Sequence, residues 1–124
     1  YIQHPTRVMQ TVLSQGYDES VAIAAILHDT IEDTDLTLAD VEKEFGPRVA
    51  ATLSLLSKLP GENYQSFIDR IIASKNVDAI KVKLADLIDN MDMSRLGRDP
   101  DEWDKKRLNK YEKAFQQLTQ ALEK

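Results

Sequence analysis

An unbroken apolar run that ends in a cluster of ionisable side chains is the feature that most constrains this chain. In residues 21–34, seven apolar residues lead directly into His28 and Asp29, and Glu32 and Asp33 follow one helical turn later. Residues four apart share a face of a helix, so a helix here places His28 beside Glu32 and Asp29 beside Asp33. Carboxylates next to a buried face lose solvation and are usually paired or bound to a metal. The stretch therefore predicts a buried helix whose end carries a functional site.

Composition excludes several classes of protein. The 124 residues suit one domain, and 42% hydrophobic with 30% charged residues is typical of a globular chain. The net charge of −5 argues against a nucleic-acid partner, and the lack of cysteine excludes disulfides, thiolate zinc sites and cysteine nucleophiles. No apolar run approaches the roughly 20 residues that span a bilayer, and no signal peptide opens the chain. We therefore expect a cytoplasmic protein without nucleic-acid or membrane partners.

Capping and breaking signals divide the chain into helices. No segment shows the sustained apolar and polar alternation of a sheet. The predicted helices begin at Pro5, Asp18, Thr37, Pro47, Asn63, Asn76 or Asp78, and Pro100. These signals predict an all-α fold, a single compact bundle of about six or seven helices over residues 1–124, with residues 100–124 as a long C-terminal helix. Because the chain opens inside a patterned segment, we expect the N-terminal helix of the domain to be missing from it.

Helical spacing also predicts which side chains are buried. We expect the last two helices to present two apolar stripes, and three cations of the chain to be surface charges rather than phosphate ligands. The apolar edge of the last helix either closes the domain or forms the seam of a homodimer. The first stripe contains Ile80, Leu84, Leu87, Ile88 and Met91, the second contains Trp103, Leu108, Tyr111, Phe115, Leu118 and Leu122, and the expected surface cations are Arg7, Lys81 and Lys83.

The two histidines of the chain stand where a metal site needs them. His4 lies near a predicted helix start and His28 at a helix end, and Asp86 lies beside the apolar stripe of a later helix. Together with Asp29 they form a set of two imidazoles and two carboxylates, which suits Mn, Fe or Zn with water in the open positions. A metal held there lowers the pKa of water enough to provide a nucleophile at neutral pH. The spacing alone leaves a second interpretation open, in which the histidines are hydrogen-bonded core residues.

Two acidic residues and one amide accompany the metal set. Glu32 and Asp33 lie one turn from the expected ligands, where they can position the water or move its proton. The alternative is a solvated helix end, although acids at a helix C-terminus oppose the dipole. Asn90 lies one turn after Asp86 on the same helix face, and its alternative is a buried structural amide.

Four motifs, YIQHPTRV, AAILHDTIEDT, EFGPRV and KVKLADLIDNM, resemble those of the HD-domain metal-dependent phosphohydrolases. Within that family the chain is most similar to the hydrolase domain of RelA/SpoT-type proteins and to the small alarmone hydrolases, from its start to about Leu96. The resemblance implies one Mn²⁺, with other divalent ions such as Fe, Zn or Mg as alternatives. It implies that the ion is held by His4, His28, Asp29 and Asp86, that Glu32 and Asp33 serve the hydrolytic water, and that Asn90 helps to hold the substrate.

The reaction that the resemblance implies is removal of the 3′-pyrophosphate from guanosine tetra- or pentaphosphate, (p)ppGpp, a small phosphorylated nucleotide. The chain departs from the family at Leu87 and Met93, where arginine and threonine are usual. These departures leave open an HD phosphohydrolase that acts on another nucleotide or phosphorylated small molecule. A third hypothesis is a helical sensor or interaction module without activity.

Overall fold

The computed structural model describes residues 7, 10, 11, 19–30, 37–92 and 98–123, with the side chains of residues 19, 20, 29 and 30 outside that description. Within this part the protein is all α-helical, which confirms the predicted fold class. None of these helices is long and apolar enough to cross a membrane. Over residues 19–30, 37–92 and 98–123 six helices have defined bounds: α1 (Glu19–Thr30), α2 (Leu38–Phe45), α3 (Pro47–Leu56), α4 (Tyr64–Ser74), α5 (Val77–Asn90) and α6 (Glu102–Glu123).

Side-chain caps fix the starts of three helices, as the sequence predicts. Thr37 and Asp40 form a capping box at α2, with each side chain accepting a hydrogen bond from the other residue's backbone N–H at 3.1 Å. The side chain of Asn63 accepts from the N–H of Ser66 at the start of α4. Asn76 caps α5 in the same way, and this settles the choice between Asn76 and Asp78. These bonds satisfy backbone donors that a helix start leaves without partners.

One glycine joins α2 to α3. Gly46 has φ of 95°, a conformation that residues with a Cβ rarely adopt. Its N–H donates to the carbonyl of Glu42 at 2.9 Å and ends α2. Pro47 then opens α3 as predicted, because the first position of a helix needs no N–H donor. The short joint holds the two helices against each other.

The last helix begins later than predicted. Pro100 was expected to open it, but α6 starts at Glu102. Asp101 and Asp104 exchange side-chain to backbone hydrogen bonds at 2.9 and 3.1 Å, which is the geometry of a capping box. This pair fixes the start of the helix, and Pro100 precedes it.

Two hydrophobic cores meet at α5. This helix packs against α1, α3, α4 and α6, and its side chains contribute to both cores. The first core lies between α1, α2, α3 and α5, and the second between α4, α5 and α6. Because both sides of α5 are covered, the polar side chain of Asp86 near its end is buried as well. The buried residues of the first core are Val21, Ala22, Ala24, Ala25, Val41, Val49, Ala50, Leu53, Val82 and Ala85, and those of the second are Phe67, Ile68, Ile71, Ala79, Ile80, Leu84, Leu87, Ala114 and Leu118.

Two residues of the predicted apolar stripes are exposed. Ile88 is 38% exposed and Trp103 is 70% exposed, so their assignment to the core is wrong. Leu84 and Leu87 already fill the side of α5 that faces the second core, and Ile88 points away from it. Trp103 lies in the first turn of α6, ahead of the part of the helix whose residues are buried against α4 and α5.

Candidate functional site

His28 lies in the last turn of α1, and its side chain is only 9% exposed. Its Nδ1 lies 2.6 Å from the carbonyl oxygen of Ala25. A carbonyl oxygen can only accept, so Nδ1 carries the proton of this hydrogen bond. In the neutral imidazole the lone pair is then on Nε2, the nitrogen that faces α5. The helix backbone itself thus fixes the tautomer that a metal ligand requires.

Asp86 meets His28 from α5. Its Oδ1 lies 3.6 Å from Nε2 of His28, and its side chain is 9% exposed. The other oxygen, Oδ2, accepts from Nζ of Lys83 at 2.9 Å and from Nδ2 of Asn90 at 3.3 Å. The two carboxylate oxygens therefore have different environments: Oδ2 is held by groups on its own helix, and Oδ1 faces an imidazole from another helix.

The distance between His28 and Asp86 fits a shared metal ion. Ligand atoms each about 2.1 Å from one ion lie roughly 3 to 3.5 Å apart, and the observed 3.6 Å is close to that range. The donor set of one imidazole nitrogen and one carboxylate oxygen also suits Mn, Fe or Zn. The described residues contain no group of three or more such side chains. The other two predicted ligands, His4 and the side chain of Asp29, lie outside the described residues, as do Glu32 and Asp33.

A buried ion pair ties the N-terminal segment to the same end of α5. Arg7 donates from Nε and Nη2 to the two oxygens of Asp89, at 2.6 and 3.3 Å. The side chain of Asp89 is 7% exposed and that of Arg7 is 32% exposed, so the expectation of a surface charge at Arg7 is wrong. Arg7 follows His4 by three residues, and Asp89 follows Asp86 by three. The pair holds Arg7 one helical turn beyond Asp86 on α5.

Lys83 is also not the surface charge that the sequence suggested. Its side chain is 13% exposed, and besides Asp86 it contacts two aromatic rings of α4. Its Nζ lies 5.7 Å from the ring centre of Tyr64 and 5.2 Å from that of Phe67. The two rings meet edge to face, with centres 6.3 Å apart. Helical spacing cannot reveal this burial, because the covering groups come from another helix.

The hydroxyl of Tyr64 lies next to this cluster. It is buried, and no described residue forms a hydrogen bond with it. Burial raises the pKa of Tyr64 above its ordinary value, and the charges of Tyr111 and Asp86 act in the same direction. Nζ of Lys110 lies 4.6 Å from the ring centre of Tyr64. Tyr64 therefore connects the surroundings of Asp86 with α6.

The first two turns of α6 carry a basic face that sequence reasoning missed. A cavity of about 220 Å³ is lined by Trp103, Lys106, Arg107 and Lys110. Lys106 and Arg107 follow Trp103 by three and four residues, and Lys110 follows them by four and three, so the four share one face of α6. The sequence contains this pattern, but the spacing of Trp103 with the apolar stripe predicts a packing role for it. Asn90 is exposed at the end of α5, so its alternative as a buried structural amide is wrong.

Comparison with known proteins assigns the chain to a family. The family model of the HD domain matches residues 1–118. The chain belongs to the HD-domain family. Its predicted resemblance to RelA/SpoT-type proteins is confirmed by the relatives described next.

Several relatives cover the same part of the chain. A guanosine-3′,5′-bis(diphosphate) 3′-pyrophosphohydrolase of Aquifex aeolicus is 35% identical over 99 residues, which are 73% of this chain and 14% of the relative. A GTP pyrophosphokinase of Streptomyces coelicolor is 34% identical over 98 residues, 73% of this chain and 12% of the relative. The chain thus spans only about one seventh of the length of these curated relatives.

A solved structure matches nearly the whole chain. It is that of a metazoan ortholog of SpoT that hydrolyses ppGpp and plays a role in starvation responses. The two structures superpose with a TM-score of 0.70 and 29% sequence identity, over 98% of this chain and 71% of the other. This HD-domain chain therefore shares its arrangement of helices with a RelA/SpoT-type protein.

Proposed function

We propose that this HD domain is a metal-dependent hydrolase that removes the 3′-pyrophosphate of (p)ppGpp. The observation that carries the proposal is the meeting of His28 and Asp86, which are far apart in sequence, at a distance suited to one ion. The proposal is supported by two relatives whose names or descriptions state hydrolysis of this compound. The reaction class follows from the donor set, because mixed imidazole and carboxylate sites are suited to metal-assisted hydrolysis.

The proposed ligands of the ion are His4, His28, Asp29 and Asp86, and the proposed ion is Mn²⁺, with Fe, Zn or Mg as alternatives. A divalent ion, when bound, lowers the pKa of water and polarises phosphoryl oxygens. Because Nδ1 of His28 donates its proton to the carbonyl of Ala25, the lone pair of Nε2 faces the proposed ion site as a ligand.

Three further residues act on the reactants. In this proposal Glu32 and Asp33, four and five residues after His28 in the sequence, orient the water and accept its proton. Asn90 already donates from Nδ2 to Asp86, and its amide oxygen is available to accept from a substrate hydroxyl. That bond would hold the sugar of the nucleotide beside the carboxylate.

The basic face of α6 suits a polyphosphorylated nucleotide. Trp103 offers an aromatic ring for a base, and Lys106, Arg107 and Lys110 offer cations for phosphates. Short contacts link this face to the proposed ligands: Lys110 lies over the ring of Tyr64, Lys83 lies over the same ring, and Lys83 binds Asp86. The ring of Tyr64 thus lies between a lysine of the cavity on α6 and the lysine that binds Asp86.

Turnover of ppGpp tests the proposal directly. The purified chain is incubated with ppGpp and Mn²⁺, and nucleotides and pyrophosphate are separated by anion exchange. We expect GDP and pyrophosphate in equal amounts, and no product after chelation of the metal. A folded, Mn²⁺-loaded sample that released neither product would contradict the proposal. His28→Ala is the matched control for contaminating hydrolases, because it removes a proposed ligand without touching the basic face.

One observation favours a second candidate, an HD phosphohydrolase that acts on another nucleotide or phosphorylated small molecule. Leu87, where the family usually has arginine, is fully buried in the second core. That position therefore cannot supply a cation to the substrate. A panel of nucleotides, with orthophosphate and pyrophosphate measured separately, distinguishes the two candidates. Orthophosphate release from nucleoside monophosphates, with ppGpp left intact, would favour the second.

A further inference from the structure

We propose that Lys83 is a positioning residue that holds one oxygen of Asp86, so that the other is presented to the metal beside His28. The inference rests on the proposed function, since it assumes that Asp86 is a ligand. Its basis is the unequal environment of the two oxygens. Oδ2 lies 2.9 Å from Nζ of Lys83, whereas Oδ1 lies 3.6 Å from Nε2 of His28.

Two residues of α5 itself hold the carboxylate of Asp86. Lys83 precedes Asp86 by three residues and Asn90 follows it by four, so both lie on the same face of α5. Both donate to Oδ2, and they approach it from the two neighbouring turns of the helix. A carboxylate with one oxygen held twice has little freedom to rotate. It therefore presents Oδ1 as a single, monodentate ligand atom.

The aromatic rings of α4 keep Lys83 in place. Nζ lies over both Tyr64 and Phe67, and the face of an aromatic ring attracts an ammonium group. Phe67 is itself buried in the second core, with 5% exposure. A lysine on a solvated helix face would sample many rotamers, but this one is 13% exposed and enclosed. The packing of the second core thereby restricts the rotamers of Lys83 and, through its bond to Oδ2, the orientation of the Asp86 carboxylate.

Hydrogen-bonded partners of metal ligands raise affinity by orienting them, and their loss typically costs roughly 10- to 100-fold in metal affinity. A cation near the site acts in the opposite direction, because it repels the incoming ion. The two effects predict opposite results when the charge is removed. If Lys83 served only as a countercharge, a neutral substitute would bind metal at least as tightly as the native chain.

Two neutral variants of similar length separate these effects. Lys83→Met keeps an apolar side chain between the rings but has no donor, and Lys83→Gln has an amide N–H that can point at Asp86. Mn²⁺ affinity is measured by isothermal titration calorimetry and by the electron paramagnetic resonance signal of unbound Mn²⁺. We expect Lys83→Met to bind roughly 10- to 100-fold more weakly than the native chain, and Lys83→Gln to lie between them.

Lys113→Met is the matched control, because it removes an exposed lysine that has no described contact with Asp86 or His28, and its affinity should equal that of the native chain. Equal or tighter binding by Lys83→Met, with its helical circular dichroism intact, would overturn the proposal. If Lys83→Met does not fold, Lys83→Gln decides: weaker binding supports positioning, and native or tighter binding overturns it.

Binding is measured without substrate, so the outcome does not depend on ppGpp turnover. A native chain that binds Mn²⁺ but leaves ppGpp intact removes the proposed substrate and leaves the role of Lys83 open to the same comparison of variants. A native chain that binds no divalent ion contradicts both proposals.

Discussion

Asp86 and Asp104 are both buried carboxylates with cationic neighbours, yet their surroundings differ. The side chain of Asp104 is 1% exposed, and it accepts from Arg98 at 2.6 Å, from Arg107 at 3.2 Å and from the backbone N–H of Asp101 at 3.1 Å. All three partners lie within six residues of it in sequence. They fix the start of α6, so Asp104 belongs to a helix cap.

The partners of Asp86 come from two helices. Lys83 and Asn90 hold Oδ2 from its own helix, but Oδ1 faces His28 of α1. Burial does not distinguish the two aspartates, and a perturbed pKa does not mark a site either. The hydrogen bond from Arg98 lowers the pKa of Asp104 to about 2, although Asp104 has a structural role. What distinguishes Asp86 is an imidazole from another helix, whose hydrogen bond to Ala25 leaves its lone pair on Nε2, facing Oδ1.

Replacing Asp86 or Asp104 by asparagine should give the largest difference in Mn²⁺ affinity between two variants. We expect Asp86→Asn to lower Mn²⁺ affinity by more than about 100-fold, because even the loss of an outer partner costs 10- to 100-fold. Hydrolysis of ppGpp should be lost with it, and His28→Ala should behave alike. Calorimetric titration with Mn²⁺ and a pyrophosphate assay measure both.

Asp104→Asn is the control for that contrast. It should bind Mn²⁺ as the native chain does and show a lower midpoint of thermal unfolding, since the amide weakens the cap of α6. If Asp104→Asn lost metal binding to the same extent as Asp86→Asn, the distinction between the two carboxylates would be wrong.

Glu32 separates binding from chemistry. We expect Glu32→Ala to retain Mn²⁺ affinity and to lose turnover by roughly 10²- to 10⁴-fold, the range that a positioned acid or base contributes. The rate constant kcat should fall with little change in KM, because the substrate is held elsewhere. Stopped assays at saturating Mn²⁺ measure the rates. A variant with native turnover would refute the role assigned to Glu32.

Local sequence patterns correctly predict the helix starts that depend on local hydrogen bonds. The caps at Thr37, Asn63 and Asn76 were correct, because each depends on residues three positions apart. The pairing of His28 with Asp86 was also predicted, because the chain has only two histidines and Asp86 lies beside an apolar stripe of its helix.

The errors concern groups covered or exposed by distant helices. The sequence predicts a surface charge at Lys83, but two rings of α4 enclose it. Ile88 and Trp103 have the right spacing for the core, yet both side chains are exposed. Burial at such positions depends on how whole helices pack, and a single sequence does not contain that information.

Asp89 offers a third buried carboxylate for comparison, held by Arg7 from the N-terminal segment. We expect Arg7→Met to lower the free energy of unfolding by about 2 kcal/mol, because it leaves a buried charge with fewer donors. Urea unfolding followed by circular dichroism measures the change. Arg48→Met is the matched control: Arg48 also binds a carboxylate through two bonds, with Asp78, but its side chain is 54% exposed.

Removing an exposed pair should cost less than about 1 kcal/mol. Equal losses for Arg7→Met and Arg48→Met would show that burial of the pair at Asp89 adds nothing. A loss confined to Arg7→Met would indicate that the N-terminal segment is anchored on α5, next to the turn of Asp86.

The smallest expected effect is the pH dependence of the helix cap. The hydrogen bond from Arg98 is the main cause that lowers the pKa of Asp104 to about 2, against about 4 in an unfolded chain. A group with a lowered pKa stabilises the fold above its unfolded pKa, and this stabilisation is lost as pH falls from about 4 to 2. Asp104→Asn cannot titrate at that position. The midpoints of thermal unfolding of the two proteins should therefore differ at pH 6 and converge near pH 2, because the other carboxylates contribute alike to both. A difference that persists unchanged down to pH 2 would mean that the negative charge of Asp104 contributes nothing to the cap, and that only its shape does.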